Sequence, residues 1–344
     1  MRRIDTSAFT RATRSTSREI NRQIVLNLVR EQQPLSRADL ARRMDVPRAT
    51  VAILVNELLE EGLLVEGPVL DSPRGRKPVM LYVRTGDRLV IAADIRSGRT
   101  YLMLSDLAGT PMSTESFETP ATPEELLDEL DRRIGRIRAS SAARGELEGI
   151  GVAVSGMVDR AGTILYLPQL GWRQVPLRAA LESRTGVPVQ VENASNACAL
   201  AHVWMGEAGR HADDFAYVNV SDGVGVGLVV GGELVRGHGY TAGEFGHVPI
   251  DPRGPTCLCG SVGCWEIFTS NLATLSRYLG TEPSAEESRR LLRSSEVTIG
   301  DVIARARTGD ERARQALEET GTYLALGLSI IVNALNPARI IVGG

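Results

Sequence analysis

The segment 243-GEFGHVPIDPRGPTCLCGSVGCWE-266 contains three of the four cysteines of the 344-residue chain. His247, Cys257, Cys259 and Cys264 follow the spacing His-x9-Cys-x-Cys-x4-Cys and offer one imidazole and three thiolates. Such a soft set of four ligands suits tetrahedral Zn²⁺. Because four protein ligands leave no open position for water, the pattern predicts a structural zinc site rather than a hydrolytic one. The alternative is that these cysteines are reduced and bind no metal.

On both sides of this segment, from Arg88 onward, short β-rich runs alternate with longer helical stretches. Strands are predicted over 89–95, 149–156, 187–193, 215–221, 226–232 and 339–344. Helices are predicted over 123–139, 176–184, 195–206, 271–280, 311–318 and 320–335. This alternation predicts an α/β fold for residues 88–344.

The N-terminal part of the chain is organised differently, as three short helices and a hairpin. The first helix is predicted over 17–31, with a capping box at Thr16 and an apolar face formed by Ile20, Ile24 and Leu28. The second is predicted over 36–44, and the stretch 36-SRAD-39 opens it in the same way. The third begins at residue 48, ends at Gly62, and carries the apolar stripe Val51, Leu54, Val55 and Leu58.

A predicted hairpin over 63–67 and 71–83 follows these helices. Two short helices joined by a tight turn, with a hairpin after them, predict a winged helix-turn-helix domain over residues 17–83. We expect residues 1–16 to form a flexible basic arm.

The distribution of charge favours DNA as the partner of this domain. Although the whole chain has a net charge of −3, its first 90 residues carry 16 Arg and Lys against 11 Asp and Glu. Arg48 and Thr50 are the expected base readers, with Ala49 between them, whereas phosphate contacts are expected from Arg37, Arg42 and Arg43. The wing tip presents Arg74, Gly75, Arg76 and Lys77, which suit a narrow A·T-rich minor groove. The alternative is a domain whose basic surface binds an acidic protein.

Several classes of protein are disfavoured by composition. No apolar run approaches the roughly 20 residues that a membrane span needs, and the N-terminus has no apolar core of a secretory signal. Four cysteines, three of them clustered, are not typical of a secreted disulfide scaffold. We therefore expect a soluble, cytoplasmic protein.

The helix-turn-helix, the Gly-Arg-Lys-Pro wing tip, the stretch 149-GIGVAVSGMVD-159 and above all residues 243–266 resemble the ROK family (repressor, open reading frame, kinase). The resemblance covers the chain from about Asn21 on. It implies a two-lobed, actin-like fold of the sugar kinase/ribonuclease H-like type, with a sugar bound in the cleft. The N-terminal winged helix is a feature of the repressor members.

The resemblance also implies which residues contact the sugar. Glu244, His247 and Glu266 match family positions that hydrogen-bond sugar hydroxyls, and the metal-bound histidine serves both purposes. Asn193 and, with weaker support, Gln169 match further sugar contacts. The alternative for the two glutamates is that they are surface or purely structural carboxylates.

Three stretches depart from the pattern of the kinase members. Where the family has Asn-Asp-Ala-Asn, this chain has Ala194 in place of the catalytic aspartate. The first phosphate loop is Asp-Ile-Arg-Ser-Gly over 94–98, and the second is Ser-Asp-Gly-Val-Gly over 221–225. The methyl group of Ala194 cannot accept a proton, and the carboxylate of Asp222 would repel a phosphate. The chain also stops at residue 344, before the final helices that family members usually have.

These features together predict a sugar-responsive repressor of carbohydrate-metabolism genes. We expect a homodimer that places two winged helices in successive major grooves of an operator. A sugar, more often an inducer than a corepressor in proteins of this kind, is expected to release it. The competing interpretations are a residual ATP-dependent sugar kinase and a protein-interaction module.

Overall fold

A computed structural model describes residues 14–69, 78–107, 109–141, 145–205 and 214–344. Two compact units can be distinguished. The first contains the described residues up to Arg88, and the second contains 89–105 and the described residues from 109 on. The predicted arm up to residue 13 and the predicted wing tip lie outside the described residues.

The first unit is a helix-turn-helix followed by a hairpin. Its elements are α1 (Arg14–Gln32), β1 (Leu35–Ser36), α2 (Arg37–Met44), α3 (Arg48–Glu60), β2 (Leu64–Val69) and β3 (Val79–Val83). The strands form an antiparallel sheet in the order β1-β3-β2. The predicted stripe of α3 is buried in the core of this unit, and it comprises Val51, Leu54, Val55 and Leu58.

Two details of α1 differ from the prediction. The helix begins by Arg14, so Thr16 lies within it rather than at its N-cap. The face that packs into the core carries Val25 and Val29, which are fully buried, whereas Ile24 is 40% exposed. The sequence has apolar residues at i, i+4 on two adjacent faces of this helix, and only packing against α3 and the sheet selects between them.

A capping box fixes the start of α2. Ser36 Oγ accepts a hydrogen bond from the Asp39 backbone N–H at 3.2 Å, and Asp39 Oδ2 accepts one from the Ser36 N–H at 3.0 Å. Both bonds satisfy backbone donors that a helix N-terminus leaves free. Hydrogen bonds from Ser36 hold the pKa of Asp39 below its ordinary value of 3.8.

We expect Ser36→Ala to destabilise α2 by about 1 kcal/mol because one of these bonds is lost. Hydrogen exchange of the α2 amides should then become roughly fivefold faster, while the amides of the second unit provide an internal reference. The lowered pKa of Asp39 means that its stabilisation is present above pH 3.8 and is lost as the pH falls through the folded-state value. Unchanged exchange in α2 would contradict this role of Ser36.

The second unit is built as two lobes, each with its own sheet. The first lobe contains β4 (Arg88–Ile95), β5 (Arg99–Asp106), β6 (Pro111–Glu118), α4 (Pro123–Ser141), β7 (Glu146–Val154), β8 (Met157–Val158), β9 (Ile164–Leu167), β10 (Trp172–Val175), α5 (Leu177–Thr185) and β11 (Val189–Asn193). Its main sheet has the order β11-β7-β4-β5-β6, and β8, β9 and β10 form a small separate sheet. Alternate residues of β4 are buried, as expected of a strand that packs one face against helices.

The second lobe contains α6 (Ala194–Met205), β12 (Phe215–Val220), β13 (Val224–Val230), β14 (Glu233–Leu234), a 3₁₀ helix (Phe245–His247), α7 (Trp265–Thr269), α8 (Asn271–Leu279), α9 (Ala285–Ser294), α10 (Ile299–Arg307), α11 (Glu311–Leu335) and β15 (Arg339–Gly343). The sheet order is β14-β13-β12-β15, with β12 and β15 parallel. Trp265 is buried beneath this sheet, and its indole N–H donates to the Tyr323 carbonyl at 2.8 Å. The residue that follows Cys264 is thereby anchored in the core.

The predicted strands correspond to β4, β7, β11, β12, β13 and β15, which confirms the α/β class. The two helices predicted over 311–318 and 320–335 are instead one continuous helix, α11, with Gly321 inside it. Unpredicted elements include β5, β6, α9 and α10. β6 is mostly exposed and polar, so it has no apolar alternation to reveal it. No helix in the described ranges has both the length and the hydropathy of a membrane span.

Candidate metal centre and ligand pocket

The four predicted metal ligands come together in the second lobe. The donor atoms of His247, Cys257, Cys259 and Cys264 all lie within 4.8 Å of one another. Cys259 Sγ is 3.7 Å from Cys264 Sγ, and Cys257 Sγ is 3.9 Å from His247 Nδ1. A tetrahedron with zinc–sulfur bonds of about 2.3 Å has sulfur–sulfur edges of about 3.8 Å. The separation of the sulfurs excludes a disulfide and fits a zinc ion.

The backbone that holds this cluster depends on one glycine. His247 ends the 3₁₀ helix, and Cys264 directly precedes α7. Between them, Gly263 has φ +66°, and a Cβ atom at this position would lie 1.6 Å from the Asp251 carbonyl oxygen. Both the left-handed conformation and the close approach of the two backbones therefore require glycine.

Burial favours the protonated form of two thiols of this cluster, Cys257 and Cys264. It raises the pKa of Cys257, and it raises the pKa of Cys264 to about 11, to which the neighbouring Cys259 also contributes. A Zn²⁺ ion would reverse this preference, because a coordinated thiol is deprotonated. The donor chemistry of the cluster thus fits a structural zinc ion.

A cavity of about 430 Å³ adjoins the cluster and is lined by residues of both lobes. Gln169, Asn193, Glu244, His247 and Glu266, the predicted sugar contacts, all line it. The imidazole of His247 lies between cluster and cavity, since Nδ1 faces Cys257 and Nε2 lies 3.8 Å from Glu244 Oε2. One ring nitrogen is therefore available to a metal and the other to a ligand.

Glu266 is the most deeply buried of these groups, at 7% exposure. Its Oε2 accepts the Val224 backbone N–H at 2.9 Å, and its Oε1 lies 3.6 Å from Cys257 Sγ. Gly223 makes room for the carboxylate, because a Cβ atom there would lie 2.5 Å from Oε2. Burial raises the pKa of Glu266. A surface position is excluded for Glu266, and the bond to Val224 gives it a structural role as well as a place in the cavity.

Glu244 is more accessible, with a side chain that is 32% exposed. Burial raises the pKa of Glu244; His247 opposes this shift and the charge of Glu266 adds to it. Two carboxylates therefore share one small cavity, and both gain from a ligand whose hydroxyl groups donate hydrogen bonds.

The side-chain amides of Gln169 and Asn193 differ in how many hydrogen bonds they make within the protein. Gln169 Oε1 is buried and has no hydrogen-bond partner within the described ranges, so it is an acceptor available to a ligand. Asn193 Oδ1 accepts the N–H groups of Ser195 and Asn196, at 2.8 and 3.2 Å, and its Nδ2 donates to Gly156 at 3.0 Å. Asn193 thus caps α6, a role that its position just before that helix could have indicated.

The two stretches that we predicted to be degenerate phosphate loops are joined by a hydrogen bond between the lobes. Residues 94–98 include the turn from β4 to β5 in one lobe, and residues 221–225 include the turn from β12 to β13 in the other. Ser97 Oγ donates to Asp222 Oδ2 at 2.9 Å, a contact that sequence reasoning did not find. Arg96 Nε donates to Asp94 Oδ2 at 2.7 Å and so is partly neutralised within its own loop. Ala194, the residue that we predicted to replace a catalytic aspartate, is among the residues that line the cavity.

The predicted DNA-binding residues of the first unit lie on an exposed surface around the start of α3. Arg48 and Ala49 are exposed, Thr50 is half-buried, and Arg43 and Arg48 form no ion pair with a described residue. Arg42 pairs with Asp39.

Arg37 is partly engaged within the protein, since it contacts Glu66 at 2.7 Å and Asn56 at 3.2 Å. The remaining predicted contacts fall on the wing tip, outside the described residues: Arg74, Gly75, Arg76 and Lys77.

Two family models match the chain. Residues 25–68 match the IclR helix-turn-helix domain, and residues 90–344 match the ROK family. Among its relatives, the putative xylose repressor of Caldicellulosiruptor sp. strain Rt8B.4 is 33% identical over 332 residues, which are 95% of this chain and 83% of that protein. The DNA-binding transcriptional dual regulator NagC of Escherichia coli K12 is 29% identical, over 95% of this chain and 80% of that protein.

Solved structures show the same relationship. A ROK family transcriptional regulator, described as a homologue of the E. coli MLC protein, superposes with a TM-score of 0.78 at 28% identity, covering 95% of this chain and 83% of that one. A ROK family glucokinase from Streptomyces griseus, solved with glucose and AMPPNP, superposes with a TM-score of 0.64 at 32% identity, covering 74% of this chain and 83% of the kinase. The two-lobed second unit therefore has the actin-like kinase fold, and the chain belongs to the ROK family.

Proposed function

We propose that the protein is a sugar-responsive transcriptional repressor of carbohydrate-metabolism genes. The observation that carries the proposal is the presence, in one chain, of a helix-turn-helix with an exposed basic surface and a cavity lined by Glu244, Glu266 and His247. Relatives that match 95% of the chain, and so span both units, are named as putative xylose repressor and as transcriptional regulators.

The effector is a small sugar with adjacent hydroxyl groups. Glu244, Glu266 and the unpartnered Gln169 Oε1 are acceptors, and hydroxyl groups are the donors that they require. The four ligands of the metal centre would hold a structural Zn²⁺ ion. His247 would bind it through Nδ1, which faces Cys257, while Nε2 faces the cavity. The ion would support the pocket, and four protein ligands would leave no open position for a reactant.

The cavity is a sensor rather than the active site of a kinase. Phosphoryl transfer to a sugar needs a base at the accepting hydroxyl, and Ala194 supplies none. It also needs loops that approach the phosphates through backbone N–H groups. Here Asp222, held by Ser97, places a carboxylate between the two loops. Sugar binding can therefore persist in this fold without the chemistry of its kinase relatives.

We expect Ala194→Asp to remain inactive as a sugar kinase, because restoring the base leaves the repulsive carboxylate of Asp222 in place. The measurement is phosphate-ester formation from ATP with glucose, xylose and N-acetylglucosamine, for the parent and the variant. Turnover by the parent protein, at any rate above a no-enzyme control, would favour the kinase interpretation instead.

Regulation requires that the sugar bind one conformation of the repressor better than another. A preference of about 100-fold corresponds to about 2.7 kcal/mol, which is typical of coupling between sites. We propose that the protein acts as a homodimer on a near-palindromic operator, and that sugar binding between the lobes changes the arrangement of the two DNA-binding units. The sugar then acts as an inducer.

The test is fluorescence anisotropy of the full chain on labelled DNA from its own upstream region, at several salt concentrations and with a panel of free sugars. We expect tight binding that random DNA of equal length does not match, and release by one sugar of the panel. Affinity equal to that for random DNA at every salt concentration would contradict the proposal, because phosphate contacts alone explain such binding.

A further inference from the structure

The helix α3 has two apolar faces, and only one of them is used by the fold. The buried face supplies the core stripe that begins at Val51. The opposite face carries Ala49, Ala52 and Ile53 at helical spacing, and Ile53 is 56% exposed. Removing an aliphatic side chain of this size from water is favourable in free energy, so its exposure does not stabilise the protein. The exposed face therefore has apolar surface available to a partner.

The surroundings of this face indicate that the partner is DNA. Arg48 opens the same helix, Arg43 lies in the last turn of α2, and both are exposed without an ion pair to any described residue. Cations around an apolar strip match the edges of a major groove, where two phosphate backbones flank the bases. A helix fits into this groove, which is about 12 Å wide.

The side chains of Ala49, Ala52 and Ile53 cannot read hydrogen-bonding groups. On the floor of the major groove, the 5-methyl group of thymine is the apolar feature, and the other base edges present donors and acceptors. An isoleucine placed over those edges would leave polar groups without water, which is unfavourable. We propose that this strip, with Ile53 as its largest side chain, selects operator half-sites through the methyl groups of thymines; this inference rests on the proposed DNA-binding function.

The most direct probe is deoxyuridine, which differs from thymidine only by the missing methyl group. The operator would first be selected from random-sequence DNA with the full chain. Each thymine of a half-site would then be replaced singly by deoxyuridine, and affinities would be measured by anisotropy. We expect at least one replacement per half-site to weaken binding roughly fourfold, the effect of one buried methyl group.

Ile53→Ala assigns the contact to this residue. The variant should bind the thymine operator at least roughly fourfold more weakly than the parent. The deoxyuridine replacement that weakens binding by the parent should weaken binding by the variant much less, because the contact is already lost. Ile303→Ala, an isoleucine of the second unit that is 36% exposed, is the matched control and should behave as the parent.

Equal affinity of the parent for all deoxyuridine operators would overturn the inference, even if operator binding itself were specific. An unchanged deoxyuridine cost in Ile53→Ala would also overturn it, because it would show that Ile53 does not contact the thymine methyl group. Absence of any preferred sequence in the selection would instead overturn the proposed function, and the inference with it.

Discussion

The Cys264→Ser variant is expected to lose stoichiometric zinc and much of the stability of the second lobe. Cys264 is completely buried, and the hydroxyl of serine is a poor zinc ligand. Structural zinc supplies about 10 kcal/mol in the smallest zinc domains; a lobe with its own core should lose less. A loss of about 3 kcal/mol would lower the melting temperature by roughly 6–12 °C. Elemental analysis and thermal unfolding measure the two effects.

Cys198→Ser provides the matched control for this experiment, because Cys198 is a free cysteine outside the cluster. It should retain the metal and melt close to the parent. Equal zinc content and equal melting temperature in Cys264→Ser and the parent would contradict a zinc site and favour reduced, unliganded cysteines.

The Glu244→Gln variant should bind operator DNA normally but respond poorly to the sugar. The substitution keeps the shape of the side chain and removes its charge. A hydrogen bond to a charged group contributes about 1.5–3 kcal/mol, so sugar affinity should fall roughly 10- to 100-fold. The side chain of Glu244 makes no hydrogen bond to a described residue and lies 3.8 Å from His247 Nε2, in contrast to the side chain of Glu266 with its bond to Val224. The melting temperature should therefore be unchanged.

Isothermal titration of the sugar, and its effect on operator anisotropy, measure this loss. Glu233→Gln removes the same charge from an exposed position of the same lobe and should leave both quantities unaltered. If Glu244→Gln kept the full sugar affinity, the carboxylate would not contact the sugar.

Local chemistry made the metal ligands and the helix-turn-helix predictable from the sequence. Cysteine and histidine are the soft ligands of proteins, so their spacing in residues 256–266 and at His247 carried a specific signal. The cap at Ser36 and the buried stripe of α3 also depend on neighbours within a few residues. Family resemblance, rather than spacing, identified the cavity residues Glu244 and Glu266.

Contacts between distant segments were not predictable in this way. The bond between Ser97 and Asp222 joins residues 125 positions apart, and no local pattern marks it. The choice of Val25 over Ile24 as the buried face of α1 depends on the elements packed against it. Tertiary packing decides both. The capping of α6 by Asn193, in contrast, is a local contact that its position just before that helix could have indicated.

The central claim is that one protein couples a sugar site to a DNA site, and thermodynamic linkage tests it most directly. The affinity for the operator should be measured with and without saturating sugar, and the affinity for the sugar with and without saturating operator. Linkage requires the two ratios to be equal, and we expect each to be about 100-fold. A sugar that binds tightly and leaves operator affinity unchanged would contradict the claim.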